Sequence, residues 1–228
     1  EALYAYQMAL QQPEATHGER RHVTHYNMGL IHHRLGDAAA AERHLRKSLA
    51  FSPEYADALT NLGVFVAVQG RYREAERYLR RAIRAKKRLQ EAYTNLGYVL
   101  IKQGRAKEAA DWLQRSLALN PQDVPAWTNL GIAYKKTGRY PEAEAAFLNA
   151  LKKAPQVFLT RLHLAEVYLR TGDGKTARQT LLHGLAAMGP AQIDEALTVF
   201  DRLSPLDEPP DGDLVLPLLK ELAEAKRR

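Results

Sequence analysis

The chain has 228 residues, of which 46% are hydrophobic and 26% charged, an ordinary globular balance that argues against disorder. It contains no cysteine, which excludes disulfide frameworks, thiolate zinc sites and cysteine nucleophiles together. Lys and Arg number 33 against 26 Asp and Glu, a formal +7 that admits anionic partners, so the placement of the charge has to decide between them.

The chain opens with Glu1-Ala2-Leu3-Tyr4, without an initiator Met, a basic leader or a small-residue cleavage site, and reads as the inside of a structured region cut from a longer chain. Ala2, Tyr6, Ala9 and Leu10 recur at helical spacing, which predicts a helix over the first residues and a connection from Pro13 to Arg21. From His22 a period of 34 residues takes over. The strings HYNMG, LTNLG, YTNLG and WTNLG end at Gly29, Gly63, Gly97 and Gly131. The same interval separates Gly36, Gly70, Gly104, Gly138 and Gly172. It also separates Ala41, Ala75, Ala109, Ala143 and Ala177, and the bulky set Leu45, Leu79, Leu113, Phe147 and Leu181. Chance does not produce four ladders in phase, and the chain is an internal repeat.

Within one period the spacing predicts two helices. Leu59, Leu62 and Val66 form an apolar stripe that Gly70 ends, and Ala75, Leu79, Ala82 and Ile83 form a second stripe behind Tyr72. Pro53, Pro121 and Pro155 fall between units, where a fixed φ suits a turn or helix start. Small residues at Gly63 and Ala75 allow the two helices to approach closely, with Leu59 and Leu79 filling the space beside them. Five units follow, at 22–55, 56–89, 90–123, 124–157 and 158–191, and residues 1–21 take the phase of the second helix of a truncated unit plus a connecting loop. Behind them, 192–203 is expected as a capping helix and 204–212, SPLDEPPDG, as a linker. A last helix over 213–228 is expected, N-capped by Asp213 and with Leu214, Leu218 and Leu222 along one side. The longest aliphatic run, Val64–Val68, is far short of the roughly 20 apolar residues of a membrane span.

Trp127, Leu130, Gly131, Tyr134, Gly138, Ala143, Phe147, Ala150 and Pro155 together resemble the signature of the tetratricopeptide repeat, and the resemblance covers the five units. Lys87 stands where a Pro is expected. In the fifth unit Arg161, His163, Ala165 and Gly184 replace the expected aromatic, Asn, Gly and Ala. The resemblance implies an all-α fold, a right-handed α-solenoid, or superhelix, of helix–turn–helix repeats. It implies a non-catalytic scaffold whose first helices line a concave groove for an extended segment of a partner protein or peptide.

The groove residues follow from the phase. Asn27, Asn61, Asn95 and Asn129 recur at one position of the first helix, flanked by Tyr26, Thr60, Thr94 and Thr128. Further along lie Leu30, Val64, Tyr98 and Ile132, then Arg34, Val68, Lys102 and Lys136. Asn is a mediocre residue for a helix interior, so its recurrence needs a reason. A carboxamide offers a donor and an acceptor together, which matches the N–H and C=O of an extended backbone. The Thr-Asn-Leu-Gly units are similar to the repeat superhelix of O-linked N-acetylglucosamine transferases, whose asparagine ladder holds peptide backbone. That resemblance assigns peptide binding to Asn27, Asn61, Asn95 and Asn129, with His163 breaking the ladder. Hydrogen bonding between repeats is the competing role for these amides, and the two can coexist.

No phosphate loop, HExxH or nucleophile elbow is present, so no catalytic residue and no cofactor is expected. His25 and His32 are seven apart and could share a helix face, yet they occupy packing phases and a metal needs further converging ligands. Structural histidines are expected there, and no metal site.

Charge is concentrated instead. From Arg71 to Arg88 there are nine basic residues and two acidic ones, a net +7 that equals the surplus of the whole chain. Arg73, Arg77, Arg80, Arg81, Arg84 and Arg88 are expected to form one stripe away from Ala75, Leu79 and Ala82, either as an anion-docking strip or as a solvated helix face covering apolar surface. Nucleic acid is disfavoured as the partner because only Tyr72 and Tyr78 are nearby for stacking. Other readings are a substrate-presenting accessory domain of a larger enzyme, and self-association through the repeat ends or the C-terminal helix. No residue specifies a compartment, and the cytoplasm is the default expectation.

Overall fold

The computed structural model describes residues 20–186 and 211–227. The described residues form eleven α-helices and no strand. They are α1 (Arg21–Arg34), α2 (Ala38–Phe51), α3 (Ala56–Val68), α4 (Tyr72–Ala85), α5 (Gln90–Lys102), α6 (Ala106–Leu119), α7 (Val124–Lys136), α8 (Tyr140–Lys153), α9 (Phe158–Arg170), α10 (Gly174–Ala186) and α11 (Gly212–Arg227). The starts of α3, α5, α7 and α9 are 34 residues apart, as the ladders require. The chain divides into two compact units, residues 1–96 and 97–228, with the boundary inside α5. The helix expected ahead of residue 20, the segment 192–203 and most of the linker 204–212 lie outside the described residues.

In the first unit α1 pairs with α2 and α3 with α4, and α3 also packs on α2. Two glycine ladders make each pair possible for different reasons. Gly70, between α3 and α4, has φ 77°, a left-handed conformation that reverses the chain and that other residues adopt at a cost. Gly63 is a matter of space: a Cβ there would lie 2.8 Å from Leu79 Cγ. The core of this hairpin (Leu59, Leu62, Val66, Ala75, Leu79 and Ala82) is wholly buried. Asp37 caps α2, accepting the Ala40 N–H at 2.9 Å. Ser48 Oγ donates to the His22 carbonyl at 2.7 Å, which ties α2 to the start of α1.

The second unit repeats the plan. α7 packs on α6 and α8, α9 on α8 and α10, and α9 also touches α7. Pro125 and Pro141 sit in the first turns of α7 and α8, where their missing N–H costs nothing. Helix α11 packs on both α9 and α10, the relation α9 bears to α7 and α8. Its buried stripe is Val215, Leu219, Leu222 and Ala223, which closes over Leu162, Ala165, Ala177, Leu181 and Leu185. The expected stripe is therefore displaced by one residue: Leu222 belongs to it, but Val215 and Leu219 take the buried centre and Leu214 and Leu218 are half-buried beside them. The cap is displaced too: Asp211 Oδ1, not Asp213, accepts the Leu214 N–H, at 3.3 Å. No helix among the described residues is long and apolar enough to cross a membrane.

Candidate functional site

The recurring asparagines all lie on first helices, and each is half-buried. In the first unit Asn61 is the best defined. Its Nδ2 donates to the Asp57 carbonyl at 3.0 Å and to Tyr26 Oη at 3.1 Å, so it links α3 to α1. The competing role for this amide is therefore real at Asn61. Both N–H groups are occupied, and Oδ1 is the atom left to accept from a ligand.

Two of the neighbouring threonines do not share that exposure: Thr60 and Thr94 are only 4% and 6% exposed. Thr60 Oγ1 donates back to the Ala56 carbonyl at 2.9 Å, and Thr94 Oγ1 accepts from Gln90 Nε2 at 3.0 Å. These hydroxyls are satisfied inside the protein and leave little surface for a ligand. Thr128 is half-buried, its Oγ1 3.3 Å from that of Thr160. Tyr98 is buried, with Lys102 Nζ 5.7 Å from its ring centre, whereas Lys136 is exposed.

At His163 the second unit replaces the asparagine phase by a buried charge cluster that sequence reasoning missed. The His163 ring is fully buried and stacks on Phe147 at 5.6 Å. Lys135 Nζ lies 3.2 Å from His163 Nδ1 and pairs closely with Glu166 Oε2. Arg170 Nε donates to Glu166 Oε1 at 2.8 Å, and the Asp211 backbone N–H donates to Oε2 at 3.0 Å. Burial would push the Glu166 carboxyl up. Contact with His163 and the charges of Lys135 and Arg170 overcome it and hold the carboxyl well below the usual carboxylate range. A cavity of about 390 Å³ lies beside this cluster, lined by Lys135, Lys136, Tyr140, Glu166, Arg170 and Asp211. The available signal was Glu166 itself, an acid at the phase of Val64, Tyr98 and Ile132.

The histidines of the first repeat form a packed group. His25 Nδ1 and His44 Nδ1 are 3.1 Å apart, His32 stacks on His44 at 5.2 Å, and His25 stacks on Phe51 at 5.6 Å. No set of three His, Cys, Asp or Glu among the described residues is placed to hold a metal ion. Burial pulls the His44 imidazole down to about 4, helped by His25, His32, Lys47 and Arg43, and burial pulls His25 down as well. The hydrogen bond between the two Nδ1 atoms also needs one of them unprotonated. Unfolded histidines take their proton near pH 6.5, so the unfolded chain binds more protons between about pH 6.5 and 4, and stability falls as the pH falls through that window. With the ring partly exposed, the expected loss is on the order of 1 kcal/mol. Thermal unfolding from pH 7 to 5 checks this. His44→Tyr, which installs the residue Tyr78 supplies one repeat later, should flatten the dependence, and an unchanged slope would refute the assignment.

The arginine stripe divides into exposed and paired members. Arg73, Arg77, Arg84 and Arg88 are exposed and make no ion pair among the described residues. Arg80 is half-buried and donates to Glu76 Oε1 at 2.9 Å. Arg81 donates to the Pro53 carbonyl at 2.6 Å and to Glu54 Oε1 at 3.2 Å. Around the axis of α4, Arg73, Arg77, Arg80 and Arg84 lie within about 60°, and Arg81 falls about 80° from Arg73. The stripe is thus a free line of arginine with a paired edge on either side.

Tetratricopeptide-repeat family models match residues 23–88, 67–124, 100–157 and 136–198. No curated protein matches the chain. Among solved structures it is similar to MamA of Desulfovibrio magneticus RS-1, at 24% identity and a TM-score of 0.65 over 70% of this chain and 90% of that one. It is also similar to YrrB, described as a TPR protein with an unusual peptide-binding site, at 22% identity and a TM-score of 0.65 over 80% and 91%. A thermophilic TPR protein of Thermus thermophilus, TTC0263, aligns at 22% identity and a TM-score of 0.62 over 79% and 97%. These likenesses establish the fold. With the family models covering most of the five units, the chain belongs to the tetratricopeptide-repeat family.

Proposed function

We propose that this chain is a non-catalytic protein-interaction scaffold that binds an extended peptide segment along the face lined by its first helices. The observation that carries the proposal is the return of a half-buried asparagine at one helical phase in four successive repeats. Asn27, Asn61 and Asn95 serve the first unit, and Asn129 serves the second. At Asn61 it is Oδ1 that accepts a backbone N–H, which a segment of any sequence carries, and the residues beside the series, Tyr26, Lys102 and Lys136 among them, supply selectivity. Thr60, Thr94 and the buried Tyr98 support that face from within. YrrB, a protein of the same fold, is described as having an unusual peptide-binding site, which supports the reading for this chain.

The test begins with peptides selected from a random library on the wild-type chain. The Asn61→Ala/Asn95→Ala variant is expected to bind them about tenfold or more weakly, since each amide removes a hydrogen bond worth on the order of 1 kcal/mol. Loss of the Asn61–Tyr26 bond requires a check that helicity and melting are retained. Unchanged affinity in a folded variant would exclude the amide mechanism.

A further inference from the structure

We propose that the outer face of α4 is a second interaction surface, which docks an acidic segment of a partner protein independently of the first-helix face. The whole positive surplus of the chain lies between Arg71 and Arg88. The apolar side of α4 (Ala75, Leu79, Ala82 and Ile83) is used in the core, so its arginine line faces outward. Arg73, Arg77 and Arg84 occupy that line at i, i+4, i+11, rising about 6 Å and then about 10 Å along the axis. No carboxylate among the described residues pairs with them, so those acids leave their forks available.

The borders of the line identify the partner. Glu76 flanks it on one side through Arg80, and Glu54 flanks it on the other through Arg81. The cationic strip is therefore about one helix wide, with one arginine-paired carboxylate at each edge. A nucleic-acid duplex is negative across its width and would carry phosphates onto Glu54 and Glu76. A protein helix can present glutamate or aspartate along one line only, with neutral or basic residues beside it. Arg46, Arg71, Arg80 and Arg81 already take glutamates on and around this surface, as a partner's acids would take Arg73, Arg77 and Arg84. Arginine suits the task because its planar fork binds a carboxylate through two parallel hydrogen bonds.

The probe is a labelled helical peptide carrying glutamate at the i, i+4, i+11 spacing, titrated against the full chain at about 50 mM and about 200 mM salt. The expected result is saturable binding that weakens with salt, is weaker for a peptide of the same composition with scrambled spacing, and falls about tenfold in Arg77→Glu/Arg84→Glu. Lys175→Glu, an exposed reversal on α10, should leave binding unchanged. If the double reversal impairs folding, Arg77→Gln/Arg84→Gln repeats the test without repulsion. Three results would each overturn the proposal: no binding of the peptide, binding that ignores both double variants, or tighter binding of duplex DNA that the same variants abolish.

Discussion

Glu166→Ala is expected to cost about 3 kcal/mol and to loosen α9 and α11 together. The carboxylate is almost fully buried and holds Lys135, Arg170 and the Asp211 backbone N–H at once. Removing it leaves the Lys135 ammonium buried without its partner, a change that typically costs about 3–5 kcal/mol. The lower end applies because the neighbouring cavity lets water reach the lysine. Repeat arrays unfold locally, so hydrogen exchange at the amides of α7, α9 and α11 is the right readout, beside denaturant unfolding. A loss under about 1 kcal/mol would show that the cluster contributes little. Lys135→Met/Glu166→Leu should recover most of the loss, because both buried charges leave together. The stability Glu166 supplies as an anion is present above the ordinary carboxylate range, near pH 4.3, and is lost as the pH falls below it.

Gly131→Ala is expected to destabilise the second unit by about 2 kcal/mol, although alanine is the better helix former by roughly 1 kcal/mol. The added Cβ would lie 2.5 Å from Phe147 Cε1 and 2.7 Å from Cδ1. That ring is wholly buried and stacked on His163, so it has nowhere to retreat. The equivalent Gly29→Ala meets Leu45 Cγ at 3.0 Å, in a repeat whose leucine can shift by tenths of an ångström, and should stay within about 1 kcal/mol of neutral. Calorimetry or denaturant unfolding of both variants decides the matter: equal losses would mean that close approach is not what the ladder glycines provide. Phe147→Leu should soften the effect of Gly131→Ala, a coupling that a double-mutant cycle measures.

The repeat could be read from the sequence because backbone geometry demands particular residues. Gly70 and Gly138 must reverse the chain at positive φ, and Gly63 and Gly131 must admit a neighbour's side chain, so the same letters recur at 34. The asparagine phase was visible for the same reason. Its hydrogen bonds were not, because the Asn61–Tyr26 contact joins residues on helices one repeat apart. The Lys135–Glu166 pair was hidden behind a similar separation, with no motif linking its members. Composition located the arginines of α4, but only packing revealed that Glu76 and Glu54 bind Arg80 and Arg81 and leave the line between them free. The cap of α11 was misassigned because Asp211 and Asp213 both precede the apolar run, and only the turn geometry separates them.

The seating of α11 bears on how such an array can change length. It occupies the surface of α9 and α10 on which the first helix of another repeat would stack, and it buries Val215 and Leu219 there. A hairpin duplicated within the second unit ahead of α11 can be accommodated, since each copy offers its successor an equivalent surface. One added after α11 finds that surface already taken. Gene duplication or design can therefore lengthen the series from within, while α11 keeps its seat on α9 and α10.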